Sequence, residues 1–202
     1  VIRSTWGADA KRLGVDVKFF VGANASKYES DEIHVDCPDD YNGLPYKTRA
    51  ICRWASGKVI SHIFLCDTDT YVSVTRLLNS GFEQFDYFGY FNSEMFGTKP
   101  YTAESRDGVR EHHAACYNWA SGGLGYSLSK KALSEVAYEH PTSWAEDLWV
   151  GQVLGPMIAK NELTVGNSKG KNLSLHYPSA QFGHNYDVEG HKWMRAMHAE
   201  NA

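Results

Sequence analysis

Asp67-Thr68-Asp69 has the residue types and spacing best suited to chemistry. It follows the apolar run Val59–Cys66, so the two carboxylates emerge together at a strand end, where open α/β sheets bind ligands. Carboxylates at i and i+2 can share a divalent cation and a nucleotide. Their hard oxygens suit Mg²⁺ or Mn²⁺, and a diphosphate carries enough charge to need such an ion. On the triplet alone, a second reading is open: turn and capping carboxylates ahead of a helix begun at Ser73. Ser121-Gly122-Gly123-Leu124-Gly125-Tyr126 either lets backbone N–H groups approach a ligand or is a flexible turn before a helix. Glu146-Asp147 opens a further helix. Ser143-x-x-Glu146 reads as a capping box, giving Glu146 a structural role. Asp147 lies in the first turn, where the helix dipole lowers a carboxyl pKa and suits a proton acceptor. Among nine histidines, His176 follows an apolar strand candidate and can face Asp69 as a metal ligand, with His184 as its competitor. Arg3 and Lys47 are cations that could hold a phosphate or simply sit on the surface.

These residues need a scaffold. Val17–Gly22, Glu32–Asp36, Val59–Cys66 and Phe85–Phe91 read as strands, the third as a central parallel strand. Tyr46–Ser56 reads as a helix with Ile51, Trp54 and Ala55 on one face and Gly57 beyond its end. A short helix runs from Val74 to Asn79. Ser129 caps another, to about Tyr138, with Leu133, Val136 and Ala137 inward. A further helix covers Trp144 to Leu154. Leu163–Val165 and Leu173–Leu175 are short strand candidates. Residues 92–116 lack a period and read as a long loop, and the end of the chain as a polar, His-rich tail. Strands alternating with helices predict one α/β domain over residues 1–202, with a mostly parallel, mixed sheet flanked by helices. Residues 1–91 would form the nucleotide and metal half, and 92–202 the acceptor and base half.

Composition narrows the function classes. The chain has 202 residues with nine Phe, six Trp and twelve Tyr, enough for a packed core and against disorder. A net charge of −4 gives no support to a nucleic-acid partner. No apolar run is long enough to span a bilayer. Cysteines 37, 52, 66 and 116 match no zinc spacing and leave disulfides open, with Cys66 read as a buried small hydrophobe. Two N-x-S sequons, at Asn24 and Asn172, barely favour a secretory route.

Taken in order, the segments resemble the inverting β1,3-glycosyltransferases that include Fringe and the β3-galactosyltransferases. Arg3-Ser4-Thr5-Trp6-Gly7 resembles that family's R-x-T-W-G, and Phe19–Gly22 its F-x-x-G strand. Asp36 to Thr48 is similar to D-x-x-D-x-Y-x-N-L-x-x-K-T, with Gly43 for Asn. Asp67–Val72 is similar to D-D-D-x-F-V, with Thr68 for the middle Asp. Ala120–Ser129 and Glu146–Gly151 resemble G-x-G-Y-x-L-S and E-D-V-x-x-G. The resemblance implies a GT-A-type nucleotide-sugar-binding fold, a UDP-sugar donor and Mn²⁺ (or Mg²⁺). It implies Asp69 and His176 as metal ligands, Asp67 beside the ribose, and Asp147 as catalytic base. Arg3, Asp40 and Lys47 would surround the nucleotide, and Gly122 and Gly123 would shape the donor-sugar pocket. The acceptor would be a glycan, glycoprotein or glycolipid. The family's first strand precedes its R-x-T-W, and almost nothing does here: the strand is either missing or replaced by another segment, and its absence would expose a sheet edge and one side of the uridine pocket.

Two other readings share this fold: a retaining nucleotide-sugar transferase, and a non-catalytic nucleotide- or glycan-binding domain. A Golgi-lumenal location is expected if an upstream anchor has been removed, and a soluble cytoplasmic one otherwise.

Overall fold

The computed structural model describes residues 1–22, 29–91, 99–104, 110–116, 118–178 and 186–201, with the backbone alone for 99–104, 110–116 and 186–187. A four-stranded mixed sheet lies at the centre, in the order β3 (His62–Leu65), β8 (Tyr126–Ser129), β5 (Tyr87–Gly89), β9 (Val165–Asn167). β8 runs antiparallel to both β3 and β5, while β5 and β9 are parallel. Successive side chains of a strand point to opposite faces. Tyr87 therefore enters one core and Phe88 the other.

The first core joins that face of the sheet to α2 (Leu44–Ser56), α4 (Lys130–Tyr138) and α5 (Glu146–Ala159). Cys52, Ala55, Leu128, Leu133, Val136, Trp149 and Leu154 are fully buried there. Each large side chain so enclosed contributes about 1.5–3 kcal/mol. The second core lies under α1 (Trp6–Arg12), α3 (Val74–Leu78) and α6 (His191–Asn201). Trp6, Tyr71, Val74, Leu77, Phe88 and Met194 fill it. Helices thus cover both sides of the mixed sheet, the α/β architecture expected.

Side chains satisfy two of the helix ends, the start of α4 and the end of α2. Ser129 Oγ accepts the Ala132 N–H at the start of α4 at 3.2 Å, and donates to Asp86 at 2.6 Å. Lys130 Nζ donates to the carbonyls of Ala55, Ser56 and Lys58 at the end of α2. A cation is favoured there because those carbonyls lack helical partners.

Smaller ladders flank the centre. β1 (Phe19–Val21) and β2 (Glu32–His34) are parallel, and β2 is the neighbour of β1 among the described ladders. β4 (Thr70–Val72) pairs antiparallel with β10 (Ser174–His176).

Several expectations need correction. The run ending at Cys66 does form β3, but its described neighbour is antiparallel and its residues are only partly buried. An apolar run alone does not encode direction. The expected loop 92–116 contains an antiparallel pair, β6 (Lys99–Glu104) and β7 (Arg110–Cys116). Tyr126–Ser129, taken as the approach to a helix, is a fully buried strand. Part of the polar tail is helix α6. The face of α2 centres on Cys52 and Ala55 rather than on Ile51 and Trp54. Cys37, Cys52 and Cys66 are free thiols. Cys66 keeps some residue surface while its thiol is enclosed, and burial pushes that thiol up to about 12.

Candidate active site

Asp67 and Asp69 lie in the turn between β3 and β4, closed by the Thr70 N–H donating to the Asp67 carbonyl at 3.2 Å. β10 lies against β4 with His176 opposite Thr70. The Tyr177 N–H continues this ladder by donating to the Asp69 carbonyl at 3.1 Å. The imidazole consequently reaches back over the turn. Its Nε2 is 3.2 Å from Asp69 Oδ1 and 3.9 Å from Asp67 Oδ2. One ligand atom from each residue lies within 4.8 Å of the others. Asp69 raises the His176 pKa, against the opposing effect of burial. The Asp67 carboxyl is pushed up by burial and then by Asp69. It keeps 46% of its side-chain exposure, so water softens that shift.

The glycine segment forms a 3₁₀ turn, Gly122–Leu124, against this group. A Cβ on Gly123 would stand 2.7 Å from the His176 ring, so only glycine lets the imidazole lie there. The Gly122 N–H donates to Asp147 Oδ2 at 3.0 Å, and the Leu148 N–H to Asp147 Oδ1 at 2.7 Å. The helix dipole was expected to lower the Asp147 pKa. Burial outweighs the hydrogen bonds instead, and the net direction is upward. A raised pKa makes the ionised carboxylate a better proton acceptor.

Glu146 was read as half of a capping box, and the structure corrects this. Ala145 occupies the N-cap, while Ser143 Oγ accepts the Ala145 N–H. The Glu146 side chain turns inward. Its Oε2 accepts from Tyr126 Oη at 2.7 Å and Thr48 Oγ1 at 3.3 Å. Its Oε1 lies 2.5 Å from where a Gly122 Cβ would be. The residue keeps some surface, but its carboxylate is enclosed. Burial, then the neighbouring Asp147, push it up to about 8. The E-D pair contained this residue, but no sequence signal distinguished a capping side chain from a buried one.

A pH dependence follows. Between about pH 4.5 and 8, the folded chain keeps a Glu146 proton that the unfolded chain releases. Stability therefore falls as pH rises through that window. Glu146→Gln should flatten this slope, equalling the wild type near pH 4.5 and exceeding it above pH 8 by on the order of 2–4 kcal/mol. Thermal melts of both proteins at pH 5 and 8.5 test this, and parallel slopes would contradict it.

The structure gathers Asp67, Asp69, His176, Gly122, Gly123 and Asp147. The other three candidates have different partners. Arg3 donates to Asp31 and Glu32. Asp40 Oδ1 accepts the Gly43 N–H at 2.8 Å, and Lys47 pairs with Asp39. Lys47 still adjoins the site in sequence, since the next residue, Thr48, reaches Glu146. His184 lies outside the described residues.

The family model described as galactosyltransferase matches residues 1–162. The chain belongs to the galactosyltransferase family. A comparison with curated proteins found no match. Membership makes the chain a glycosyltransferase and implies a nucleotide-sugar donor and a glycan acceptor. Among the described residues, no helix of this galactosyltransferase-family chain is long and apolar enough to cross a membrane.

Proposed function

We propose that the chain is a metal-dependent, inverting glycosyltransferase that moves a sugar from a UDP-sugar to an acceptor hydroxyl and forms a β1,3 linkage. The convergence of Asp67, Asp69 and His176 beside a turn bonded to Asp147 carries this reading. Two hard carboxylates and one imidazole suit Mn²⁺, with Mg²⁺ as the alternative. Asp69 and His176 would hold the cation, and Asp67 would face it from the nucleotide side. Such a cation offsets the charge of a departing diphosphate.

Asp147 acts on the acceptor. Its carboxylate, oriented by the Gly122 and Leu148 N–H groups, takes the hydroxyl proton as that oxygen attacks the anomeric carbon. The C–O bond to the diphosphate breaks on the opposite face, so an α-linked donor gives a β-linked product. Gly122 and Gly123 would shape the donor-sugar pocket by letting Glu146 and His176 pack directly against the turn. Lys47, Asp40 and Arg3 would border the nucleotide. One observation favours a binding-only domain instead: Arg3 already satisfies its guanidinium on Asp31 and Glu32, leaving less charge for a phosphate.

The test is turnover of a UDP-sugar panel with acceptor sugars, before and after EDTA. Loss with EDTA, recovery with Mn²⁺ and a β-configured product by NMR are expected. EDTA-indifferent turnover or an α-configured product would sink the proposal.

A further inference from the structure

Thr70 is fully buried between the metal-side residues and the glycine turn. Its N–H donates to the Asp67 carbonyl and its own carbonyl accepts the Trp6 Nε1–H at 3.0 Å. Its hydroxyl donates to the Gly123 carbonyl at 2.8 Å. It follows Asp69 in sequence and faces His176 across the β4–β10 ladder. From β10, Ser174 Oγ donates to the Leu124 carbonyl. Two hydroxyls on two paired strands therefore grip successive carbonyls of one turn. That turn has no slack on either side. Gly123 abuts the His176 ring, and the Gly122 N–H is bonded to Asp147.

We propose that Thr70 is a positioning residue: through the Gly122–Leu124 turn, its hydroxyl holds the His176 imidazole and the Asp147 carboxylate in one frame. The proposal rests on the reading of the site given above. A valine would fill nearly the same space but leave the partly buried Gly123 carbonyl without its donor from Thr70, and the loss of that bond frees the turn to move. A shift of the turn displaces both neighbours, because one touches it by contact and the other by a hydrogen bond.

The experiment compares Thr70→Val and Thr70→Ser with the wild type by two readouts that need no turnover. Amide exchange by NMR follows the Gly122 N–H, and EPR titration follows Mn²⁺ affinity in the presence of UDP. Thr70→Val should speed Gly122 exchange at least tenfold and weaken Mn²⁺ by roughly 10–100-fold, the range seen when a group supporting a ligand is lost. Thr70→Ser, which keeps the hydroxyl, should restore both to within about twofold. Thr70→Val with wild-type exchange and affinity overturns the proposal, even if its melting temperature falls. So does a serine variant that rescues neither. Failure of the site reading looks different: wild-type Mn²⁺ affinity that Asp69→Ala leaves unchanged. In that case the Gly122 exchange comparison alone decides the role of Thr70.

Discussion

Replacing Asp147 by Asn is expected to lower kcat by about 10²–10⁴-fold, the range a positioned general base supplies. Asn keeps the shape and removes the basic oxygen. Asp147 now accepts one N–H at each oxygen, from Gly122 and from Leu148. Asn has one carbonyl oxygen, so one of those donors would face an NH₂ group instead, at a cost of about 1–3 kcal/mol. The activity loss must therefore be read beside a melting curve and a UDP titration. Folded protein with unaltered UDP affinity and kcat down by at least a hundredfold supports the assignment. Activity within tenfold of wild type would falsify it, and Glu146 would be the next carboxylate to test.

The second large effect is expected from Asp69→Ala. On the proposed reading, in which Asp69 holds the cation, its removal forfeits several kcal/mol of charge stabilisation in the leaving group, equivalent to about 10³-fold in turnover. The variant should also lose its response to Mn²⁺. The same change acts on His176, whose pKa is raised mainly by its hydrogen bond to Asp69. In the metal-free variant, NMR should show the imidazole titrating lower than in the wild type. Retained Mn²⁺ dependence would move the metal site away from Asp69. An unshifted His176 would mean that the 3.2 Å contact does not persist in solution.

Much of this site was legible where a local pattern and a buried partner agree. The apolar run before Asp67 marked the strand end. Ser129 marked the start of α4, because its side-chain cap is a local bond. His176 was legible only as the residue after a short apolar stretch, since its role depends on β10 pairing with β4. Strand β8 was missed because Tyr126 to Ser129 is only four residues between a glycine turn and a helix cap, and its alternating serines are buried too, Ser127 included, so they mark no solvent face. Helix α6 was missed because its inward side rests on Trp193, Met194 and Met197 amid polar residues. Glu146 was misread because a capping box and a buried carboxylate share the same letters. The deciding partners, Thr48 and Tyr126, come from distant parts of the chain. Arg3 and Lys47 show the converse: cations free on paper meet acidic neighbours in the fold.

The pairing of β10 with β4 has a consequence for assembly kinetics. β10 lies beyond residue 162, where the family match ends, and it alone brings His176 to Asp69. Contacts between segments so distant in sequence pay a large loop-closure cost and form slowly. During synthesis, the two aspartates would be waiting long before their third neighbour arrives. A chain interrupted before β10 carries the two aspartates but lacks the imidazole. A cation that prefers the three-sided cluster would then distinguish finished molecules from stalled ones and stabilise only the finished ones by mass action.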